Sequence, residues 1–155
     1  MRDHGFVRLS TDLQRESFYG LNYGDLKKDP MGETKEGLIW DLIRNVKIDY
    51  LLNNISVVID STAPAYNFRN ELMRIPYQKE FFGIKAYLVF LNSERRILEK
   101  RIKLRGDDPA VLEFFDNFWE EPNIFGYNNN LITINNNPNE DLPSLYRALE
   151  KILQD

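Results

Sequence analysis

Cysteine is absent from this chain of 155 residues, and His4 is its one histidine. The lack of cysteine excludes a disulfide framework, a thiolate zinc site and a cysteine nucleophile. A single histidine makes a histidine-based metal cluster or catalytic triad implausible. No run approaches the roughly 20 apolar residues that a membrane span needs. The first residues carry no apolar signal core, so the location that the sequence favours is the cytoplasm.

A strong charge of either sign is also missing. Twenty basic and 24 acidic residues give a net charge of −4, which argues against a broad nonspecific nucleic-acid-binding surface. None of the eight glycines opens the Gly-x-x-x-x-Gly-Lys-Ser/Thr pattern that cradles nucleotide phosphates. Apolar residues are plentiful at 43%, with ten Phe and eight Tyr. Length and composition together predict one folded domain over residues 1–155.

Hydrophobic periodicity predicts strands that alternate with helices along the chain. The predicted strands are Phe6–Leu9, Ile55–Ile59, Ile84–Leu91 and Leu131–Ile134. The predicted helices run from Ser10 or Thr11 to Tyr19, from Glu33 to Asn53, from about Asn67 to Phe82, from Asn92 or Ser93 to Leu104, from Pro109 to about Trp119, and over a terminal segment with Leu142, Leu145, Leu149 and Ile152. Residues 20–32 are predicted to be a loop. This alternation is typical of an α/β fold with helices on both faces of a parallel sheet.

Two of these helices carry more specific expectations. Leu38, Leu42, Val46 and Tyr50 recur every four residues and are predicted to form the apolar stripe of the longest helix. Pro76 lies inside the predicted helix Asn67–Phe82, so we expect a kink or a break there.

Charged side chains follow the first two predicted strands. Asp12 and Arg15 lie one helical turn apart just after the first strand, and Asp60, followed by Thr62, ends the second. Ligands of open parallel sheets bind beyond the carboxyl ends of the strands. There, a carboxylate could accept a proton from an attacking hydroxyl, and an arginine could bind an anionic substrate. For Asp12 and Arg15 the alternative is a helix cap with a solvated arginine. For Asp60 it is a turn aspartate or the cap of the next helix.

Three further arginines are possible contributors. Arg101 and Arg105 lie four residues apart on one face of a predicted helix, where two guanidinium groups could close over a triphosphate. The alternative is a solvated helix, because much of this helix is charged. Arg69 is predicted either to lie close to the end of the second strand or to be an ordinary surface charge.

The order of these motifs resembles the polynucleotide-kinase-like branch of the P-loop kinases, which includes small AAA-family ATP-binding proteins. Gly5–Arg15 is similar to the strand and acceptor-site segment of that branch, Val57–Thr62 to its second acidic strand end, and Glu99–Arg105 to its arginine-bearing lid. The resemblance extends from Gly5 to about Ile134. It implies a three-layer P-loop NTPase-like fold, ATP and Mg²⁺ as cofactors, and transfer of a γ-phosphoryl group to a hydroxyl acceptor.

The resemblance also implies a role for each site residue. Asp12 would be the general base, and Arg15 would bind acceptor phosphate or position the base. Asp60 would orient the acceptor site, and Thr62 and Arg69 would join it in binding the substrate. Arg101 and Arg105 would bind the ATP phosphates. The acceptor could be a polynucleotide 5′ end, a nucleoside or a small metabolite, and the sequence does not choose among them.

The family architecture places a first strand, a phosphate loop and a helix before Gly5, roughly thirty residues in all. That strand would run between the strands that end here at Asp60 and Leu91. Without it, we expect those two strands either to pair directly or to need cover for their unpaired edges. We also expect negligible ATP affinity and no turnover for this chain alone. Three explanations are open: a truncated copy of a complete kinase, complementation by another chain, or a non-enzymatic remnant that serves as a binding module.

Overall fold

A computed structural model describes residues 5–106, 110–122, 130–135 and residue 150. The predicted terminal helix with Leu142, Leu145, Leu149 and Ile152 lies outside these residues, as does His4. The elements are β1 (Phe6–Ser10), α1 (Thr11–Tyr19), α2 (Tyr23–Lys28), α3 (Gly32–Leu52), β2 (Ser56–Asp60), α4 (Tyr66–Met73), a 3₁₀ helix (Lys79–Phe81), β3 (Leu88–Asn92), α5 (Arg95–Arg105), α6 (Ala110–Asp116) and β4 (Leu131–Asn135).

The chain divides into two compact units, each of which is described by itself. The first comprises residues 1–63 and 74–84, and the second comprises residues 64–73 and 85–155. The sequence prediction of one domain stays a prediction. Among the described helices, none has the length and apolar character needed to cross a bilayer.

In the first unit, α3 packs against one face of the parallel pair β1–β2. Leu9, Ile39 and Ile43 form the buried centre of this contact. Partly buried side chains surround it: Val7, Tyr19, Val46, Tyr50, Val57 and Ile59. Because successive strand side chains point to opposite faces, Val7 and Leu9 face α3 while Arg8 lies on the other face of the pair. An apolar face and a charged face therefore share one short strand.

The buried stripe of α3 differs from the predicted one. Ile39 and Ile43 are 1% exposed, whereas Leu38 is 56% exposed. Val46 and Tyr50 do pack on the core, as predicted. A helix turns once in 3.6 residues, so a strict four-residue row winds around the axis by about 40° per step. The prediction followed such a row and was wrong at Leu38.

Residues 20–32, predicted to be a loop, contain the short helix α2. Asn22 caps this helix, since its Oδ1 accepts a hydrogen bond from the Asp25 backbone N–H at 2.8 Å. Leu26 on α2 is buried. Gly32 begins α3 so close to α2 that a Cβ on it would lie 2.0 Å from the Leu26 carbonyl oxygen. The cap and the glycine explain why a helix forms in a segment that lacks a long apolar pattern.

The predicted helix Asn67–Phe82 ends early, at Met73. Pro76 has no backbone N–H to donate and disfavours helical dihedrals in the residue before it, so the expected break is confirmed. The chain continues through the 3₁₀ helix Lys79–Phe81. The Lys47 ammonium on α3 donates to the Arg74 carbonyl oxygen at 2.8 Å and so connects the start of this segment to α3.

The second unit contains the parallel pair β3–β4. Leu88 lies opposite Leu131, and the side chain of Ile134 is buried. The centres of the Phe90 and Trp119 rings lie 5.5 Å apart. Gly106 follows the last residue of α5 and caps the helix, with a φ of 79° in the left-handed region that favours glycine. The predicted strand Ile84–Leu91 is shorter than expected, because it begins at Leu88.

All four predicted strands are present, and both observed pairs are parallel. The described part of the chain is therefore a mixed α/β structure with short parallel strand pairs. Within it, β2 pairs with β1 and β3 pairs with β4. The strands that end at Asp60 and Leu91 belong to different units, so both alternatives for them stay predictions.

Candidate functional site

Asp12 and Asp60 lie at the same end of the first unit's strand pair. Ser10, the last residue of β1, stands opposite Asp60, the last residue of β2. Helix α1 begins directly after β1, and Asp12 is its second residue. The predicted placement of both carboxylates at the carboxyl ends of parallel strands is thus confirmed.

Asp12 and Arg15 form the ion pair that their spacing on α1 allows. The Arg15 Nη1 donates to Asp12 Oδ1 at 2.5 Å. The other edge of the guanidinium donates twice to Glu36 on α3, with Nε 2.7 Å from Oε2 and Nη2 2.5 Å from Oε1. Two parallel bonds of this kind fix the plane of a guanidinium. Arg15 therefore connects a carboxylate on α1 to a carboxylate on α3.

The Arg15 side chain is only 5% exposed, so its charge is compensated inside the fold. Burial by itself lowers the pKa of Arg15, but the hydrogen bonds and charges of Glu36 and Asp12 outweigh burial and raise the pKa above its ordinary value. Arg15 is consequently a permanent cation. The interpretation of Arg15 as a solvated arginine is wrong.

Two aromatic side chains complete the surroundings of this arginine. The Trp40 indole N–H, one turn along α3, donates to Glu36 Oε1 at 2.8 Å. The Tyr23 ring on α2 lies 5.1 Å from the Arg15 guanidinium carbon, within the range of a cation–π contact. We call Arg15, Glu36, Trp40 and Tyr23 the Arg15 cluster. Its members come from three helices.

The Asp12 carboxylate, in contrast, faces outward. Its side chain is 78% exposed while its Oδ1 accepts from Arg15. A carboxylate that is fixed on one oxygen and open on the other side can reach a hydroxyl group that approaches from solution. Asp12 thus combines a defined orientation with access.

Asp60 has a different partner and a different environment. Its Oδ2 accepts from Arg8 Nε at 3.0 Å and also from Arg8 Nη2. Both side chains of this pair are about half exposed. Thr62, two residues beyond β2, is exposed. The structure thus places an arginine–carboxylate pair and a hydroxyl at the end of β2.

Arg69 belongs to the second unit and is buried, with 3% exposure. Its guanidinium donates to the Pro64 carbonyl oxygen at 2.7 Å and to the Glu120 carbonyl oxygen at 2.6 Å. Its central carbon lies 5.9 Å from the centre of the Trp119 ring. The interpretation of Arg69 as a surface charge is therefore wrong. Its predicted part in substrate binding stays a prediction.

Arg101 and Arg105 lie on α5, also in the second unit. The partly buried Arg101 donates from Nη1 to Ser93 Oγ at 3.3 Å, which ties it to the segment before the helix. The side chain of Arg105 lies outside the described part of the structure. The predicted convergence of this pair with the strand-end carboxylates stays a prediction.

Sequence reasoning missed Glu36, Trp40, Tyr23 and Arg8 as partners of the site residues. A signal for Glu36 is present in the sequence, because Glu36 precedes Ile39 and Ile43 by three and seven residues and so shares their buried face. A carboxylate on a buried face needs a cation or several donors. Arg8 offers no such signal, since the sequence does not fix the register of β1 against β2.

The described residues contain no group of three or more His, Cys, Asp or Glu side chains placed to hold a metal ion. The sequence also contains no phosphate loop.

Neither a scan against protein-family models nor a search of curated proteins finds a match for this chain. The site is therefore interpreted from its own geometry together with the motif order described above.

Proposed function

We propose that this chain carries the acceptor site and the lid of an ATP-dependent phosphotransferase that acts on a hydroxyl group, with the fold of a P-loop kinase. The observation that carries the proposal is the strand pairing. The four strands form two parallel pairs, β1–β2 and β3–β4, so each of them has one edge without a strand partner among the described residues. The resemblance places the family's first strand between β2 and β3, where it would pair with one such edge of each.

The composition of β2 supports this proposal. Its sequence is Ser-Val-Val-Ile-Asp, and the three apolar residues are only partly buried. Continuous β-branched runs are typical of strands that are covered on both faces in a parallel sheet. A strand with one partner also exposes a row of backbone groups along its other edge. In this proposal, the strand and helix that the resemblance places before Gly5 pair with that edge and help to cover the apolar residues.

Within this proposal, Asp12 accepts the proton of the acceptor hydroxyl while the hydroxyl oxygen bonds to the γ-phosphorus of ATP; the bond from that phosphorus to the β,γ-bridging oxygen breaks, and ADP leaves. Arg15 orients the carboxylate through Nη1. Of the two roles implied for Arg15, positioning the base fits its burial better than binding acceptor phosphate, because its other edge is occupied by Glu36. Asp60, half exposed at the end of β2 and paired with Arg8, would contact the acceptor in this scheme.

The anchor for ATP and Mg²⁺ belongs, in this proposal, to the same outside segment as the missing strand. The lid would be α5, whose Arg101 the resemblance assigns to the ATP phosphates.

A second candidate function is a binding module without catalysis. The unpaired edge of β2 favours it, since an exposed strand edge can bind an extended peptide through main-chain hydrogen bonds. This candidate needs neither Asp12 nor the Arg15 cluster for its action.

A phosphoryl-transfer assay separates the two candidates. The protein encoded by the whole open reading frame is incubated with γ-labelled ATP, Mg²⁺ and a panel of hydroxyl acceptors: polynucleotides with a 5′ hydroxyl, nucleosides and small alcohols. We expect label on one class of acceptor and none after substitution of Asp12. Absence of transfer across the whole panel would contradict the kinase proposal and favour the binding module.

A titration of the 155-residue chain alone completes the test. Because this sequence contains no phosphate loop, we expect no magnesium-dependent ATP binding by calorimetry. Micromolar binding would mean that the chain holds an anchor for ATP that the proposal assigns elsewhere.

A further inference from the structure

The carboxylates of Asp12 and Glu36 lie at opposite edges of one guanidinium. Asp12 accepts from Nη1 of Arg15, and Glu36 accepts from Nε and Nη2. Glu36 is in turn held by the Trp40 indole N–H on the same helix. A continuous path of hydrogen bonds thus leads from α3 to the exposed carboxylate on α1.

We propose that Glu36 is a positioning residue for Asp12 and acts through Arg15. The inference rests on the proposed function, because it assigns Glu36 a part in a reaction whose base is Asp12. Glu36 does not touch the acceptor in this scheme. It fixes the plane of the guanidinium, and that plane sets the direction of the Nη1 N–H that donates to Asp12.

The geometry favours positioning over general stabilisation for a specific reason. A guanidinium presents its donors in a rigid planar fork, so two bonds on one edge determine where the third donor points. One bond to Asp12 alone would leave Arg15 free to rotate about its long side chain. The Tyr23 ring over the guanidinium restricts the same plane from a second direction.

The variant Glu36→Gln tests this role with little change in shape. A glutamine amide offers one acceptor oxygen and an NH₂ group, so it cannot accept both Arg15 bonds. We expect kcat to fall about tenfold or more, because a small misplacement of a reacting group has effects of this size. We expect KM for ATP to stay within about twofold, since Glu36 does not contact ATP in this scheme. Glu33→Gln on the same helix is the matched control, because Glu33 is exposed.

A double-mutant comparison separates positioning from a merely structural part. If Glu36 acts through Asp12, Glu36→Gln lowers kcat in the parent protein but adds nothing in the Asp12→Asn background. An equal further loss in that background would overturn the proposal. So would an unchanged kcat in Glu36→Gln.

A second variant tests the same role without leaving a buried charge that could unfold the protein. Arg15→Leu combined with Glu36→Leu replaces the buried pair by apolar side chains, which is often neutral or stabilising. We expect this variant to fold, by circular dichroism, and to lose turnover because nothing orients Asp12. Full turnover in the folded double variant would overturn the proposal.

The phosphoryl-transfer assay distinguishes failure of the kinase proposal from failure of the role assigned to Glu36. If the parent protein transfers no label to any acceptor, the kinase proposal fails and the inference fails with it, whatever Arg15 does. If the parent transfers label, the Arg15 Nε–H signal in nitrogen-15 NMR shows whether Glu36→Gln releases the guanidinium. An unchanged signal, with slow solvent exchange, would contradict the part assigned to Glu36 while leaving the kinase proposal in place.

Discussion

Ser10 and Asp60 stand opposite each other at the last register position of two parallel strands. This register brings Asp12, two residues after Ser10, to the same strand end as Asp60. The two carboxylates are nevertheless held differently. Asp12 is tied to the buried Arg15, whereas Asp60 is tied to the half-exposed Arg8. The two arginine pairs should therefore differ in what they contribute to stability.

The first prediction compares the carboxylates Glu36 and Asp60. Glu36→Ala leaves the charge of Arg15 buried with Asp12 as its remaining described carboxylate, and we expect it to lower the free energy of unfolding by about 3 kcal/mol. Asp60→Ala breaks a half-exposed pair, so we expect a loss of at most about 1 kcal/mol. Urea unfolding followed by circular dichroism measures both. Equal losses would show that Arg15 is compensated without Glu36.

The second prediction concerns the buried face of α3. Ile43→Ala removes a side chain that is 1% exposed, and we expect a loss of about 2–5 kcal/mol from lost burial and the cavity left behind. Leu38→Ala, on the exposed face of the same helix, should change the free energy of unfolding by less than about 0.5 kcal/mol. Larger destabilisation by Leu38→Ala would show that Leu38 packs in the core, as the four-residue spacing predicts.

That comparison also shows how far the sequence alone could determine the fold. The number of strands, the alternation with helices and the ends of α1 and α3 follow from local apolar patterns and were predicted to within a residue or two. The choice between Leu38 and Ile39 does not follow from them. It depends on the direction from which β1 and β2 approach the helix, and that direction is set by tertiary packing.

The same limit applies to the site. The spacing of Asp12 and Arg15 predicted that they lie on the same side of a helix, because residues three apart share a helix face, and the structure shows that they form an ion pair. The partners from other elements, Glu36 and Arg8, depend on strand register and helix packing, which no local pattern fixes. The two expected arginines of α5 belong to the second unit, so their place relative to Asp12 stays a prediction.

The third prediction tests the close approach of α2 and α3 at Gly32. A Cβ at this position would lie 2.0 Å from a backbone oxygen of Leu26, so Gly32→Ala must displace backbone, and we expect a loss of about 1–3 kcal/mol. Gly37→Ala is the matched control, because Gly37 lies inside α3 with nothing within 4 Å of its would-be Cβ. We expect that control to stabilise the fold by about 0.5–1 kcal/mol. Stabilisation by both substitutions would mean that the helices do not approach this closely.

The fourth prediction concerns acid stability and Asp29. The hydrogen bond from the Lys35 ammonium to Asp29 Oδ2, at 2.7 Å, and the bond from the Met31 backbone N–H lower the pKa of Asp29 below its ordinary value of 3.8. A carboxylate whose pKa is depressed by folding stabilises the fold above its unfolded pKa, and this contribution is lost as the pH falls through the folded value. The loss should therefore lie below about pH 4.

Asp29→Asn removes this titration. We expect the variant to be less stable than the parent at pH 7 and the difference to shrink as the pH falls toward about 2. Urea unfolding at a series of pH values measures it. Lys35→Met should reduce the loss of stability at low pH in the same way, because it removes the side chain that lowers the pKa of Asp29 most. A constant difference between parent and variant at all pH values would assign the stability of this pair to packing.

The fifth prediction addresses the base itself. In the protein encoded by the whole open reading frame, we expect Asp12→Asn to lower turnover at least about a hundredfold, because an amide cannot accept the hydroxyl proton in the way a carboxylate does. Asparagine keeps the size of the side chain and an oxygen that can accept from Arg15. Both the fold and ATP binding should therefore be nearly unchanged.

Asp41→Asn, an exposed aspartate on α3 that pairs with Arg44, is the matched control and should retain full turnover. Steady-state kinetics with saturating ATP and acceptor measures both variants, and calorimetry measures ATP binding. A loss confined to Asp12→Asn, with ATP affinity intact, assigns the proton to Asp12, an exposed carboxylate that is held by a buried arginine. Equal turnover in the two variants would leave the Arg15 cluster a stabilising feature of the fold, because it would then orient a group that the reaction does not use.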